Sequence, residues 1–369
     1  MAQRQRMGVG IIGAGNISAQ YLRAMKSFPV LDIRGIADMR AEVASAKAAE
    51  FGVKALTVEQ LLADPSVDIV VNLTIPRAHV DVGLRVLAAG KHVYGEKPLG
   101  VNFAEAKKLI AAAKRRGLRV GSAPDTFLGG SHQTARAVID AGKLGQVVGG
   151  TAFFACPGHE YWHHDPAFYY DIGGGPVLDM GPYYITDLVN LLGPVARVQA
   201  MGSTPHKKRP IRSEPKKGQL MPVKVLTHVA GLLEFVSGAV IQVSLSFDVP
   251  KHAHLPFELY GTEASMLVPD PNMFGGEVKI APPRAESWTD VAVKLPYADA
   301  NYRSLGVADM AYAILNDRPH RASGELALHV LEVMEAFEVA SKSGAAVKIK
   351  TRAERPAPIA ESLKRGKIA

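Results

Sequence analysis

The sequence is poor in three features that would each place it in a special class of protein. Cys156 is the single cysteine among 369 residues, so no disulfide can form within the chain, which fits a reducing compartment. No stretch approaches the roughly 20 uninterrupted apolar residues of a membrane-spanning helix, and no fixed period indicates a collagen-like or repeat architecture. The composition, 47% hydrophobic and 21% charged residues, is that of a globular chain with two or three domains.

Neither the cysteine nor the N terminus indicates special chemistry. Cys156 closes a stretch, 151–156, that is predicted to be a strand, so we expect a buried structural thiol rather than a nucleophile. Basic residues precede an apolar run at 9–12, but this run is too short for a signal peptide, and no small-residue cleavage site follows. We therefore expect a cytoplasmic protein without membrane contact.

The net charge of +8 is concentrated in two short basic segments. One is the stretch 206–217, which is punctuated by proline and serine, and the other is 364–367. Neither is a basic helix with interleaved aromatic residues, so nucleic-acid binding is not expected. We expect a solvated loop and a frayed tail.

The first third of the chain alternates strand and helix signals. Strands are predicted at 8–12, 31–37, 68–74, 91–94 and 118–121, and helices at 17–26, 40–51, 58–63, 78–89 and 104–116. Because strands alternate with helices of this length, we predict an α/β fold whose residues 1–125 form a doubly wound parallel sheet with right-handed crossovers.

The pattern changes after residue 125. A strand is predicted at 147–155, short strands separated by turns fill 196–293, and helices are predicted at 129–141, 182–192, 307–315 and 325–341. Residues 126–369 are therefore predicted to form a second, α+β domain built on a mostly antiparallel sheet.

A glycine pair lies between the first predicted strand and the first predicted helix. Gly13 permits a tight turn, and Gly15 lets the backbone approach a pyrophosphate bound at the helix N terminus. Ser18 stands at the usual third glycine and is small enough for close packing of helix on strand. Asp38 ends the second predicted strand, where an acid binds ribose hydroxyls. This context predicts a Rossmann-type dinucleotide site; the alternative is an unliganded turn with Asp38 as a helix cap.

The same acid bears on which dinucleotide binds. Asp38 favours NAD, because its carboxylate would repel the 2′-phosphate of NADP. Arg40 lies slightly further along the chain and can reach that phosphate. We expect NAD, with NADP as the alternative.

Two further segments carry side chains suited to hydride transfer. Glu96 and Lys97 follow the fourth predicted strand, whose carboxyl end faces the crevice of an open parallel sheet; the alternative is a surface ion pair. Pro182 suits the first position of a helix, so Asp179 is expected just before that helix and Tyr183 in its first turn, both directed at one cleft. The alternative is that Asp179 caps the helix and Tyr183 packs in the core.

A segment rich in histidine and aromatic residues precedes that helix. His159 and His163 have the spacing of two zinc ligands on a helix, but neighbouring prolines and a glycine indicate a loop, so no metal is expected. Trp162 offers a flat face for a C–H-rich ring and the histidines offer hydrogen bonds. The segment is expected to line a sugar pocket.

Together these motifs resemble the glucose-fructose oxidoreductase, inositol dehydrogenase and rhizopine catabolism family (Gfo/Idh/MocA). The similar segments are 8–17, 75–79, 89–99 and 173–183. The resemblance implies that Lys97 contacts the substrate hydroxyl and the nicotinamide, that Asp179 hydrogen-bonds the sugar, and that Tyr183 is the acid/base, assisted by Lys97. The implied cofactor-binding residues are Gly13, Gly15, Asn16, Ile17, Asp38, Arg40, Thr74, Pro76, His79, Glu96 and Lys97. The implied substrate-binding residues are Lys97, Asp125, His159, Trp162, His163, Asp179 and Tyr183.

The sequence departs from this family at two places. Thr186 and then Asp187 stand where an acid often follows in the active-site helix, and Asp125 lies where many members carry an asparagine and a basic residue. Asp125 is expected in the pocket, and both departures leave the substrate open. The resemblance also implies an open sheet in the second domain, whose exposed face pairs subunits into a homodimer or homotetramer.

The predicted function is hydride transfer between NAD(P) and a hydroxyl or carbonyl carbon of a sugar, cyclic polyol or glycoside. One alternative is an NAD-dependent glycosidase that oxidises its sugar only transiently. Another is a non-catalytic protein that senses nucleotide. Release of an aglycone without NADH would indicate the first, and function unaffected by Lys97→Met the second.

Overall fold

The computed structural model describes residues 5–360 and 362–368. The strands of its first sheet are β1 (Met7–Ile12), β2 (Leu31–Ala37), β3 (Ala55–Leu56), β4 (Ile69–Asn72), β5 (His92–Gly95) and β6 (Val120–Ser122). They lie in the order β3-β2-β1-β4-β5-β6, and every neighbouring pair is parallel. The connecting helices are α1 (Asn16–Met25), α2 (Ala41–Phe51), α3 (Val58–Ala63), α4 (His79–Ala88) and α5 (Phe103–Arg116). The predicted doubly wound parallel sheet is confirmed.

The second sheet is mixed and mostly antiparallel. Its strands are β7 (Val147–Ala155), β8 (Val195–Ser203), β11 (His228–Phe235), β12 (Val240–Ser246), β13 (Phe257–Gly261), β14 (Ser265–Val268), β15 (Lys279–Ala281), β16 (Thr289–Asp290) and β17 (Val347–Lys348). A separate hairpin consists of β9 (Lys208–Pro210) and β10 (Leu220–Pro222). The sheet order is β16-β15-β14-β13-β7-β12-β11-β8-β17, and the β7–β12 pair is parallel. The predicted α+β organisation is confirmed.

The helices of the second part are α6 (Gly130–Asp140), α7 (Gly175–Leu192), α8 (Leu305–Leu315) and α9 (Gly324–Ser343). α9 packs on β8 of the second sheet and also contacts α5 and β6 of the first. α8 packs on α1 and β6. Because both late helices return to the first sheet, the division of the chain after residue 125 stays a prediction.

Helix α7 begins earlier than predicted. Pro182 lies inside it rather than at its first position, and Gly181 is not its N-cap. Almost every residue from Met180 onward is buried, so packing stabilises the helix even though proline removes one backbone hydrogen bond. Asp179 and Tyr183 are therefore one helical turn apart on one face, and Asp179 is not a residue that precedes the helix.

The two basic segments are held more firmly than the sequence predicts, although most of their lysine and arginine side chains are exposed. Ile368 is fully buried, and the Arg318 guanidinium donates to its carbonyl at 3.1 Å, so the segment before it is packed rather than frayed. Arg209 lies in the stretch that was expected to be a solvated loop. It is also buried, and it is part of β9 in the β9–β10 hairpin. The first four residues, part of the basic start considered above, lie outside the described residues. Within the described part, no helix has the length and apolarity needed to cross a membrane.

Candidate active site

The turn between β1 and α1 has the shape that a dinucleotide pyrophosphate requires. Gly13 adopts φ +106°, and a Cβ there would lie 2.6 Å from the Leu73 backbone, so a side chain is excluded on two grounds. A Cβ on Gly15 would meet nothing within 4 Å, which shows that this side of the turn is open. Asn16 and Ile17 begin α1, and their N–H groups have no partner within the helix. The turn fits an anion held by backbone N–H groups.

Asp38 fixes this turn against the end of β2. Its Oδ2 accepts a hydrogen bond from the Ala14 N–H at 2.8 Å, and its Oδ1 accepts from the Arg40 N–H at 3.0 Å. The Arg40 side chain is 68% exposed, with Nε 3.9 Å from Asp38 Oδ1. Asp38 thus lies where the sequence expects an acid, and its remaining lone pairs can accept from ribose hydroxyls.

The segment after β4 is held by bonds within the protein. The Thr74 hydroxyl donates to Asn72 Oδ1 at 2.7 Å, and Pro76 opens a short 3₁₀ turn. His79 is buried, with Nδ1 2.7 Å from the Pro98 carbonyl and Nε2 2.9 Å from the Thr74 carbonyl. Burial lowers the pKa of His79 despite these two carbonyls. Both ring nitrogens face backbone carbonyls, and a neutral imidazole donates to one of them, so His79 ties two turns together. Its expected contact with cofactor stays a prediction.

Glu96 and Lys97 lie at the carboxyl end of β5. The Tyr21 hydroxyl, from α1, donates to Glu96 Oε1 at 2.7 Å, and the Lys97 N–H donates to Glu96 Oε2 at 2.9 Å. The alternative expectation for Glu96 and Lys97 is an ion pair with each other on the surface. The structure instead directs the Lys97 ammonium away from Glu96 towards α7.

The centre of the site is formed by Lys97, Asp179 and Tyr183. Lys97 Nζ donates to the Asp179 carbonyl at 2.6 Å and to Asp179 Oδ1 at 2.8 Å. The same nitrogen lies 4.9 Å from the centroid of the Tyr183 ring, a cation–π contact. All three side chains are largely buried. An ammonium has three N–H bonds, so one remains for a group in the cleft.

The charges of this centre are mutually fixed. Burial alone would lower the pKa of Lys97, but the Asp179 carboxylate and the Tyr183 side chain raise it above its ordinary value. Burial alone would raise the pKa of Asp179, but Lys97 and His159 hold it well below its usual range. Lys97 is therefore a cation and Asp179 a carboxylate throughout the neutral range.

The aromatic loop reaches this centre through His159. Its Nε2 lies 3.0 Å from Asp179 Oδ2, and its ring contacts that of Phe247. Trp162 is 64% exposed and packs edge-on against His159 and His163. His163 Nδ1 accepts from the Asp165 N–H at 3.0 Å. His159 thus lies against the reacting groups, whereas Trp162 and His163 lie further out.

The β9–β10 hairpin anchors this loop. Arg209 Nε donates to Glu160 Oε1 at 2.7 Å, and Arg209 Nη1 donates to Asp248 Oδ1 at 2.7 Å. The Ser213 hydroxyl donates to the His163 carbonyl at 2.5 Å. The basic stretch 206–217 therefore holds the aromatic loop in place. Its charge alone does not indicate these contacts.

Asp125 does not line the cleft as expected. It is 1% exposed, and its Oδ2 accepts from the N–H groups of Ser304 and Gly306, at 3.0 and 2.9 Å, just before and within the first turn of α8. Burial raises the pKa of Asp125 to about 6. Its polar character suggested a pocket residue, but its Oδ2 binds a backbone segment far along the chain, while Oδ1 has no hydrogen-bond partner among the described residues.

Arg303 is a neighbour of the site that the sequence analysis missed. Its Nη2 lies 3.5 Å from the Tyr183 hydroxyl and donates to Asn272 Oδ1 at 2.7 Å. No local motif surrounds Arg303, and the segment was predicted only as the approach to a helix. Cys156, which was expected to be buried in a strand, is only half-buried just after β7, and partial burial raises the pKa of its thiol to about 11.

The profile described as "Oxidoreductase family, NAD-binding Rossmann fold" matches residues 7–123, and the "GFO/IDH/MocA C-terminal domain" matches residues 132–267. The chain is 27% identical over 353 residues to 1,5-anhydro-D-fructose reductase of Ensifer adhaerens, covering 93% of this chain and 98% of that protein. It is 25% identical over 290 residues to levoglucosan dehydrogenase of Pseudarthrobacter phenanthrenivorans, covering 71% and 73%.

Solved structures share the fold over nearly the whole length. An NAD binding oxidoreductase from Klebsiella pneumoniae superimposes with a TM-score of 0.82 at 22% identity, covering 94% of this chain and 100% of that one. Levoglucosan dehydrogenase in complex with NADH and L-sorbose superimposes with a TM-score of 0.81 at 21% identity and the same coverage. The two profile matches, on a fold with the expected phosphate-binding turn, show that this chain belongs to the GFO/IDH/MocA family of oxidoreductases, whose N-terminal domain is an NAD-binding Rossmann fold.

Proposed function

We propose that this oxidoreductase transfers hydride between NAD and the hydroxyl-bearing carbon of a sugar, cyclic polyol or glycoside. The observation that carries the proposal is the meeting of Lys97, from the end of the cofactor-binding sheet, with Asp179 and Tyr183 of α7. Relatives named for a reaction on anhydrofructose and on levoglucosan support a sugar-like substrate.

The cofactor would lie along the carboxyl edge of the first sheet. Bound NAD supplies the hydride acceptor for oxidation and the donor for reduction. The turn at Gly13 and Gly15, with the N–H groups of Asn16 and Ile17, would hold the pyrophosphate, and Asp38 the ribose. Because Asp38 is a carboxylate position and Arg40 extends into solvent, we propose NAD rather than NADP as the preferred cofactor.

The nicotinamide end of the cofactor would contact three further residues that the sequence predicts to bind it. Thr74 and Pro76 follow β4, and Glu96 follows β5, so all three lie at the same carboxyl edge as Lys97. In an open α/β sheet this edge is where ligands bind. We therefore retain these three as cofactor contacts and leave His79 as their support.

The proton would be exchanged by Tyr183. During oxidation its side-chain oxygen takes the proton of the substrate hydroxyl, and during reduction it returns one. Lys97 is not the base, because its ammonium is held charged by Asp179; its free N–H instead donates to the substrate oxygen and stabilises the developing negative charge. The Asp179 carboxylate orients Lys97 and retains lone pairs that can accept from a second sugar hydroxyl.

The aromatic loop would select the substrate. His159 lies against Asp179 and can bond a neighbouring hydroxyl, while Trp162 and His163 present an exposed, partly apolar surface at the mouth. Aromatic faces suit the C–H-rich surface of a sugar ring. These three residues are therefore proposed as substrate contacts beyond the reacting carbon.

The exposed face of the second sheet would pair subunits. The register of β8, β11, β12 and β13 places four apolar side chains on the outward face. They are Met201, Leu232, Val240 and Tyr260, all exposed in a single chain. An exposed apolar patch of this kind marks an interaction site. We propose that a second copy covers it, and light scattering of Met201→Asp against the unaltered protein tests this.

The proposed reaction is tested with a sugar and polyol panel, following reduced nicotinamide with NAD and separately with NADP. Lys97→Met is compared with Lys114→Met, a substitution on the exposed surface of α5. We expect a signal that Lys97→Met abolishes and Lys114→Met keeps. Turnover that survives Lys97→Met would contradict the assignment of this site, and aglycone release without net NADH would contradict a dehydrogenase.

A further inference from the structure

Arg303 places a second positive charge beside Tyr183. Its Nη2 lies 3.5 Å from the Tyr183 hydroxyl, and its guanidinium carbon lies 6.0 Å from the ring centroid. The strongest bond of Arg303 is to Asn272 Oδ1, at 2.7 Å, and this amide is neutral. The guanidinium is therefore anchored by Asn272 and directed at the phenol.

This charge is unusual because it lacks a carboxylate partner. Within residues 5–360 and 362–368, no carboxylate oxygen lies within 4 Å of the Arg303 guanidinium, although the side chain is partly buried. A buried charge is costly unless an opposite charge offsets it. The neighbouring hydroxyl that can become an anion is that of Tyr183, which makes the pair complementary once the phenol has lost its proton.

The backbone beside Arg303 is strained and firmly held. Ser304 adopts φ +134°, a conformation that L-residues rarely occupy, and it is fully buried. Its N–H donates to Asp125 Oδ2, and its hydroxyl donates to the Tyr21 carbonyl at 3.1 Å. A Cβ at Gly306 would lie 2.2 Å from the Tyr94 hydroxyl, so no other residue fits there. Strain of this kind persists where surrounding contacts enforce it, commonly at functional sites.

Other charged and titratable groups around Tyr183 do not duplicate Arg303. Lys97 faces the Tyr183 ring, but its charge is matched by the Asp179 carboxylate. Asp179 lies one turn before Tyr183 on α7. Burial raises the pKa of Tyr169 of the aromatic loop, and Asp179 raises it further. Glu96 and Asp125 also raise the pKa of Arg303, although neither forms an ion pair with it. Arg303 is thus the cation near the phenol whose charge is not already matched in contact.

We propose that Arg303 is a positioning residue that stabilises the phenolate form of Tyr183. In the oxidation direction the phenolate oxygen takes the hydroxyl proton and becomes a phenol. The O–H electron pair then forms the new carbonyl bond as the carbon gives its hydride to NAD. The inference rests on the proposed function for the identity of this proton, but the charge pairing itself exists without substrate.

The test is a pH titration of tyrosinate absorbance in the ultraviolet, without cofactor or substrate. In each background the curve of the matching Tyr183→Phe protein is subtracted, which isolates Tyr183. We expect Arg303→Gln to move the midpoint upward by roughly 1–3 pH units, as loss of a charge within hydrogen-bonding range does. Arg303→Lys, which keeps the charge, should shift it less, and the exposed control Arg115→Gln should leave it unchanged.

Two results would overturn the proposal. One is an unchanged midpoint in Arg303→Gln, and the other is an equal shift in Arg303→Gln and Arg303→Lys, which would indicate a structural role only. If Arg303→Gln does not fold, Asn272→Ala removes the anchor while keeping the charge; an upward shift supports the proposal and no shift overturns it. Because the titration needs no substrate, its failure is separate from failure of the sugar panel.

Discussion

The two halves of this protein hold their functional groups by different means. In the cofactor half, groups are placed by the backbone: Gly13 by its left-handed φ, Asp38 by the N–H groups it accepts from, and His79 by two carbonyls. Where the substrate half meets the cofactor half, Asp179 and Tyr183 of α7 and Lys97 after β5 are placed by contacts between charged and aromatic side chains. Backbone contacts thus place the groups of one region, and side-chain contacts place those of the other.

This difference predicts where a substitution affects activity and where it affects stability. Side-chain changes in the substrate half should reduce turnover with little loss of folding. Backbone changes in the cofactor half should weaken folding or nucleotide binding. Four experiments test this contrast, from the largest expected effect to the smallest.

The largest effect is expected for Tyr183→Phe. Loss of the group that exchanges the proton should lower kcat/KM about 100- to 10,000-fold, as removal of a general acid or base does. Tyr184→Phe is the matched control, since the neighbouring hydroxyl donates only to the Phe153 carbonyl on the second sheet. Steady-state kinetics on the substrate found in the panel measures both. Equal losses in the two variants would show that the Tyr183 hydroxyl has no special part in the reaction.

Asp125 links the end of the cofactor half to the backbone at Ser304 and Gly306. The pH dependence of stability tests this link. Burial raises its pKa in the folded protein to about 6, above its unfolded value. The folded state therefore binds this proton more tightly, so the contribution of Asp125 to stability is greatest below about pH 4 and is lost as the pH rises through 6. The loss is roughly 3 kcal/mol at about 1.4 kcal/mol per pH unit. Denaturant unfolding from pH 4 to 7 should show it in the wild type and not in Asp125→Asn; parallel curves would refute it.

The two glycines of the phosphate turn separate stability from binding. Gly13→Ala forces a side chain into the Leu73 backbone at a positive φ, so we expect loss of about 1–3 kcal/mol or more in unfolding free energy. Gly15→Ala meets no protein atom, so unfolding should not change while NAD binding weakens. Thermal unfolding and nucleotide titration distinguish them. Unchanged NAD binding in Gly15→Ala would mean that the open side of the turn is not the ligand side.

The smallest effect is expected at an exposed ion pair between the halves. Arg77, after β4, lies 2.5 Å from Asp171, at the end of the aromatic loop, which also pairs with Lys224 at 3.1 Å. Exposed pairs contribute only about 0–1 kcal/mol. A double-mutant cycle of Arg77→Ala and Asp171→Ala should give a coupling in that range. A coupling of several kcal/mol would show that side-chain contacts hold the halves together.

The same contrast explains what could be predicted from the sequence. The parallel sheet was predicted because its strands are buried apolar runs bounded by glycines, and the phosphate turn because its residues act within a few positions of one another. The start of α7 was missed because glycines and Pro182 are typical of a helix end, whereas burial of the helix decides. Arg303 was missed because its partner Tyr183 is 120 residues away.

Asp125 and His79 show a further limit of prediction. Both are polar residues near predicted strand ends, so both were expected at a ligand. The structure instead gives Asp125 two backbone donors and His79 two backbone carbonyls. Residue type and position indicate that a polar group belongs near the site, but only tertiary contacts show whether its bonds go to a ligand or to the protein.

The anchoring of the aromatic loop by the hairpin has a consequence for how substrate range changes. Glu160 of the loop and Arg209 of the hairpin bind each other although they are 49 residues apart. A graft that exchanged the loop alone would leave the Arg209 guanidinium buried beside an unmatched neighbour, a costly arrangement. Residues 157–172 and 206–224 therefore act as one structural unit. A chimera that takes its substrate specificity from a relative should replace both segments together.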